Sequence, residues 1–147
     1  MNTLLLDTQR WDVCLDSFGN IALATDPYSA AQDVASAVRT FIGECWYNTS
    51  IGVPYYQQIL GKFPPLSLVK SLIKSAAMTV PGVTNVVVYI TNLENRNLTG
   101  QIQFTDTNVS PSTIVVVGFG PGVFMVGGQE GGVTVPAASV GGSSGIG

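Results

Sequence analysis

Hydrophobic and polar positions alternate with period two near the start of the chain. Trp11, Val13 and Leu15 alternate with Arg10, Asp12, Cys14 and Asp16, which predicts a strand with Asp12 and Asp16 on its solvated face. Ser17-Phe18-Gly19-Asn20 supplies turn chemistry, and Ile21 and Leu23 continue the alternation as a second short strand. The period then lengthens. Ala31, Val34, Ala35, Val38, Phe41 and Ile42 recur at steps of three and four, which predicts a helix over residues 28–44 with one apolar face. Asp26 is placed to cap its first N–H groups, and Pro27 to fill the first helical position, where a missing donor costs nothing.

Residues 43–62 break this regularity. The run is rich in glycine and aromatics, and it holds no histidine, paired carboxylates or metal-ligand spacing. Such a segment argues for assembly rather than catalysis. Within it, residues 55–60 read as one short helical turn ended by Gly61. Pro64-Pro65 opens a second helix with Leu66, Val69, Leu72, Ile73, Ala76 and Ala77 inward and Lys70 and Lys74 outward. After Pro81-Gly82 comes a hairpin. Val86, Val88 and Ile90 share one face of its first strand, and Val87 and Tyr89 share the other, so that strand reads as central or covered. Across a polar loop at residues 92–97, Leu98, Gly100, Ile102 and Phe104 alternate with Thr99, Gln101, Gln103 and Thr105, giving one dry and one polar face.

The chain changes character from Thr107 onward. Eleven of its 17 glycines lie there, with no lysine or arginine and Glu130 as the one charge. Residues 114–117 are a short apolar strand candidate. A composition this rich in glycine should not fold alone, because glycine loses the most entropy on ordering. The expected arrangement is α+β: a small, mainly antiparallel sheet packed with two main helices over residues 1–106, and a Gly/Val-rich extension over residues 107–147 ordered by a partner through strand addition.

Composition narrows the function. The 147 residues suit one domain, and 10% of them are charged, far below the usual quarter. Low charge beside 46% hydrophobic residues points to a surface covered by partners. The net charge of −3 and six scattered basic residues exclude a phosphate-neutralising stripe, so no nucleic acid is expected. No run nears the roughly 18 apolar residues of a membrane helix, and the N-terminus lacks a signal-peptide pattern. Cys14 and Cys45 have no CxxC partner; both read as reduced, buried small hydrophobes, with a disulfide between them left open. No cofactor or metal is expected. A glycosidase needs two carboxylates about 5–10 Å apart across a cleft, whereas these acids are scattered. Without histidine, a Ser-His-Asp or Cys-His arrangement is absent, and the chain reads as no enzyme.

Five pieces together resemble a known family: the strand-turn-strand start, the Asp26-Pro27 helix, Gly43-Glu44-x-Trp46, Gly52-Val53-Pro54-Tyr55-Tyr56 with Ile59-Leu60-Gly61-Lys62, and the Val80-Pro81-Gly82-Val83 junction. The family is the gene-twenty-five-like baseplate wedge proteins, or sheath initiators, of contractile-tailed phages, with relatives in type VI secretion systems. The resemblance covers residues 1–106. It implies a structural virion protein at the tail baseplate, assembled in the bacterial host cytoplasm. Its implied partners are the larger J-like wedge protein, the tail sheath protein and neighbouring copies in a sixfold ring. Its helices would join a bundle with the wedge, and its strands would offer an edge to arms of the first sheath ring. Two departures matter: many members carry Glu-Pro-Arg at Val80-Pro81-Gly82, and Tyr47-Asn48-Thr49 stands where a more acidic loop is expected. Another oligomeric tail component, such as a tube, terminator or adaptor, would also fit alternating strands with a helix.

The partner-binding candidates follow. Glu44 is expected to be partly buried and to fix its loop or pair across subunits, with Arg39 offsetting its charge at a helix C-terminus. Trp46, Tyr55 and Tyr56 read either as a partner-binding aromatic patch or as core. Lys62, Lys70 and Lys74 read either as contacts to an acidic neighbour or as a solvated face. The strand at 97–105, with Asn97, Thr99, Gln101, Gln103 and Thr105 and no internal charge or proline, is the first candidate for a docking edge. The strand at 113–117 is the second.

Overall fold

In the computed structural model, which describes residues 2–7, 10–94, 97–109, 114–120, 123–130 and 133–138, the chain is an α+β fold with two antiparallel sheets. β1 (Thr3–Leu4) pairs with β2 (Leu23–Ala24). Helix α1 (Tyr28–Arg39) follows, then one π-helical turn (Tyr55–Ile59), then α2 (Leu66–Ala77). A five-stranded sheet in chain order completes the fold: β3 (Val83–Glu94), β4 (Asn97–Asp106), β5 (Ile114–Gly120), β6 (Val123–Glu130) and β7 (Val133–Ala138). Of the Gly/Val-rich extension, residues 110–113, 121–122, 131–132 and 139–147 lie outside the described residues, as do Asn95 and Arg96.

The core sits between the two helices and one face of the larger sheet. Ile102 faces Val117 across the β4–β5 ladder, Phe104 faces Val115, and all four are buried. Ala31, Val34, Ala35 and Val38 of α1 and Val69, Ile73 and Ala77 of α2 close over them. α1 packs on β5 and β6, and α2 on β3. Burying each such aliphatic side chain is worth about 1.5–3 kcal/mol, which is how two helices of modest intrinsic stability are held. Lys70 and Lys74 are exposed, on the outer face of α2. Leu66, expected inward, is exposed because it is the first helical residue and overhangs the core.

Four local expectations change. α1 stops at Arg39 rather than near residue 44, because Thr40 turns extended and its C=O accepts the Val53 N–H at 2.9 Å. The Asp26-Pro27 peptide is cis, Pro27 occupies the N-cap position with no side-chain capping bond, and Asp26 Oδ1 accepts the Ser29 hydroxyl at 2.5 Å. Trp11 lies in a turn at φ 55° rather than in a strand, and it packs against the core with the Arg39 guanidinium 5.0 Å from its ring centre. Cys14 and Cys45 are free and half-buried rather than buried.

The largest change concerns the hairpin. β3, read from its two apolar faces as central, is an edge strand: it pairs with β4 alone among the described residues. β4, read as the open edge, is interior, with β3 on one side and β5 on the other. β5 is equally interior, between β4 and β6. The physical reason is the valine alternation of β5. Val115 and Val117 fall on the buried face opposite Phe104 and Ile102, so adding this strand buries apolar surface that β4 alone would leave open. The sheet therefore runs across the boundary between residues 106 and 107.

Candidate partner-binding surface

The segment from residue 40 to 63 is a loop closed at its neck by backbone. Ile42 N–H donates to the Val53 C=O at 3.0 Å, and Val53 N–H to the Thr40 C=O at 2.9 Å, so Phe41 and Val53 form a parallel bridge. Gly52 makes the neck possible. Its φ is +118°, and a Cβ there would meet the Phe41 carbonyl carbon at 2.5 Å. Inside the neck Val53 is buried. Glu44 is exposed, yet it does fix the loop: its carboxylate accepts the Phe41 N–H at 2.9 Å, while Glu44 N–H returns to the Phe41 C=O at 3.0 Å. That hydrogen bond from a backbone donor compensates the anion.

The three aromatic candidates divide. Tyr55 is an anchor: its hydroxyl donates to the Val38 C=O at 2.6 Å, and its ring meets Phe41 edge-on at 5.1 Å. Burial pushes its phenol up to about 12. Tyr56 stacks on Phe41, also at 5.1 Å, and is 70% exposed. Trp46 is 89% exposed and touches Tyr47 edge-to-face at 5.8 Å. Core packing thus describes Tyr55, while Trp46 and Tyr56 stand in solvent. Lys62 is exposed, with its ammonium donating to the Gln57 C=O.

Residue-by-residue reading missed part of this ledge. Leu60, Phe63 and Leu66 are exposed too. The signal was present in Phe63, which sits between Lys62 and Pro64-Pro65, where no helical or strand face can bury it.

The β4 candidates occupy a different place. Gln101, Gln103 and Thr105 are half-buried and lie across from Tyr89, Val87 and Thr84. Thr105 and Thr84 share a hydroxyl–hydroxyl bond of 2.8 Å, and Thr91 Oγ1 donates to the Thr99 C=O at 3.1 Å. Asn97 pairs with Glu94 at the hairpin end. With partners on both sides from Gly100 to Thr105, β4 has no backbone there to offer to an added strand. That property belongs to β3. Its register shifts between Thr84 and Val87 and again between Ile90 and Asn92, leaving four regularly paired residues, 87–90, between two bulges. Val87 and Tyr89 are 46% and 45% exposed on the face away from the helices. From Val83 to Leu93 the strand carries no charge and no proline, so it lacks two of the usual edge-blocking devices.

No group of three or more histidine, cysteine, aspartate or glutamate side chains able to hold a metal occurs among the described residues. No helix among them is long and apolar enough to cross a membrane. What the described surface offers is apolar ledges and a strand edge, which suit protein–protein assembly.

No curated protein is similar enough to this chain to count as a match. The sequence model of one family does match, over residues 2–110 of 147, and its description is contractile injection system sheath initiator. The match takes in the closed loop, both helices, β3 and β4. On that span the chain belongs to the contractile injection system sheath initiator family.

Proposed function

We propose that this sheath initiator links the baseplate wedge to the first sheath ring of a contractile tail, and that it starts sheath assembly by taking a strand from the sheath subunit along β3. The observation that carries this reading is the edge of β3 that no described residue pairs with, with its regularly paired 87–90 stretch and its uncharged sequence. Strand addition makes many backbone hydrogen bonds along one line, so the joint resists shear while sheath domains rotate during contraction. In this reading Gln101, Gln103 and Thr105 back the receiving strand from its other side, opposite Tyr89, Val87 and Thr84, and Asn97 and Thr99 mark its hairpin end.

Trp46 and Tyr56, with Lys62 nearby, contact the J-like wedge protein or a neighbouring copy in a sixfold ring, while Glu44 and Tyr55 hold the loop that presents them. The role is structural, in a virion baseplate put together in the bacterial cytoplasm. The Gly/Val-rich extension over residues 107–147, whose strands β5–β7 already pair within the chain, is held further by a neighbouring chain.

The test is co-expression of the chain with its wedge and sheath proteins, followed by imaging. Val87→Lys and Tyr89→Lys put charge on an edge strand at positions already exposed, so the fold should persist. The expected result is particles that keep this chain on the baseplate but recruit no sheath. Sheath recruited at the wild-type level by both variants would overturn the β3 assignment, and a chain found in the tube would overturn the initiator role.

A further inference from the structure

The small N-terminal sheet has an inner and an outer face. On the inner face Ala22 and Ala24 are buried. Gln32 of α1 clamps this side, accepting the Leu6 N–H at 2.9 Å and donating to the Leu4 C=O at 2.7 Å. The outer face is built from cross-strand pairs. Leu4 lies opposite Leu23, and Leu15 lies opposite Ile21, with Val13 two residues before Leu15 on the same side. These five side chains are between 48% and 69% exposed, and Phe18 at the hairpin tip is more exposed still. Period-two alternation has been kept, but the larger apolar side chains point away from the core.

Five aliphatic side chains and one aromatic one, exposed on this small sheet and its hairpin tip, offer apolar surface on the order of several hundred Å², the size of the largest apolar patch on a typical monomer. They are held on clamped backbone rather than on a loose terminus. Such a patch matches the apolar centre of a standard protein interface, which needs a polar rim around it. Here the neighbouring charge is acidic. Asp7, Asp12 and Asp16 are exposed and next in sequence to Leu6, Val13 and Leu15, and Arg10 is the one basic residue before Arg39. The carboxylates are fixed by local backbone: Asp7 accepts Arg10 N–H, Asp12 accepts Val13 N–H, and Asp16 accepts both Phe18 and Asn20 N–H. The Asn20 N–H above all holds the Asp16 carboxyl below its ordinary range, so it is charged at neutral pH.

That charge decides between occupants. A second copy docked face to face would bring two sets of aspartates together, and an anionic lipid surface would be repelled in the same way. We infer that the outer face of the N-terminal sheet docks a different protein, through an apolar surface on that protein bordered by lysine and arginine. This surface is separate from β3, since the two sheets share no hydrogen-bonded strand. Taking the baseplate wedge subunit as the bearer of that basic-rimmed surface rests on the linking role proposed above.

The test uses the full chain with purified wedge subunit and, separately, purified sheath subunit. Leu15→Glu with Leu23→Glu should weaken wedge binding about 100-fold, as loss of interface-centre residues does, while sheath capture by the same variant is unchanged. Wild-type binding to the wedge should fall as salt rises, and Asp12→Asn with Asp16→Asn should flatten that dependence. Should the double glutamate variant fail to fold, Leu15→Ser alone and hydrogen exchange on the wild-type complex replace it. In that complex residues 12–24 should gain protection and residues 87–90 should not. Unchanged wedge binding, or protection at 87–90 instead of 12–24, would overturn the inference. So would a wild type that dimerises through this face, or one that binds vesicles of anionic lipid. Failure of sheath capture in the wild type would count against the linking role and leave this surface standing.

Discussion

In the five-stranded sheet Ile102 and Phe104 meet Val117 and Val115 across the ladder and are shut off from water. In the N-terminal sheet and the bridge beside it, Leu15 and Leu23 meet Ile21 and Leu4 across a shorter antiparallel pairing, yet remain more than half exposed. The residue types and the period are alike. What differs is the cover. Two helices close the inner face of the large sheet, whereas α1 reaches only the alanine side of the small one. Alternation therefore reports which side chains share a face; it does not report which face is buried. In one sheet apolar content becomes folding stability, and in the other it is left for association.

The strongest way to break that comparison is to remove equal amounts of apolar side chain from each sheet. Phe104→Ala should destabilise the chain by about 3–5 kcal/mol, because the buried ring leaves a cavity between β4, β5 and the helices. Denaturant unfolding reads this as a large drop in midpoint. A loss below about 1 kcal/mol would mean the large sheet is not the stabilising core.

Much of this was legible beforehand. The helices, a helical turn from residue 55, the β3–β4 hairpin and the α+β class followed from period and turn residues, and the family from the resemblance of its motifs to known members. Two things did not follow, for different reasons. Whether β3 or β4 is the edge depends on β5, whose Val115 and Val117 carry the decisive information far along a glycine-rich stretch read as an extension. Part of the hairpin spacing was in fact there, with Pro121-Gly122 separating two apolar runs by two residues, whereas Gly131-Gly132 follows the polar Gln129-Glu130. The second failure is the direction of the N-terminal faces. Small Ala22 and Ala24 face α1 because Gln32 must reach the Leu4 and Leu6 backbone, a constraint set by tertiary approach and invisible to periodicity.

That clamp gives a second, smaller test. Gln32→Ala should leave the Leu6 N–H and Leu4 C=O without their side-chain partner, at a cost of about 1–3 kcal/mol concentrated in the N-terminal sheet. Hydrogen exchange should show faster opening of residues 3–6 and 21–24 with β3–β5 unaffected. Equal loss of protection in both sheets would show that they open as one unit, against the division drawn here.

Tyr55 lies between the two extremes, half-buried with a hydroxyl bonded to Val38. Burial raises its phenol from the ordinary 10 to about 12 in the folded chain. Below pH 10 both states keep the proton, and the phenol's contribution is whole. Between pH 10 and 12 the unfolded chain releases its proton while the folded chain retains it, so stability falls as pH rises through that window. Tyr55→Phe lacks the group, so the wild-type advantage over it should shrink by up to about 2 kcal/mol from pH 9.5 to 12, allowing for partial exposure. A difference that stays constant across the window would mean the phenol is as solvated in the folded chain as in the unfolded one.

The smallest expected effect sharpens the comparison most. Leu15→Ser on the outer N-terminal face should change the stability of the isolated chain by no more than about 0.5 kcal/mol, since the side chain is mostly in water before and after unfolding. Set against Phe104→Ala, this is a contrast between two apolar strand residues that each face an apolar cross-strand partner. The same substitution should raise solubility at high concentration, because it interrupts an exposed apolar patch. A loss of 2 kcal/mol or more would mean that the outer face is already covered in the isolated chain. The exposed leucines would then belong to folding after all, and the asymmetry between the two sheets would disappear.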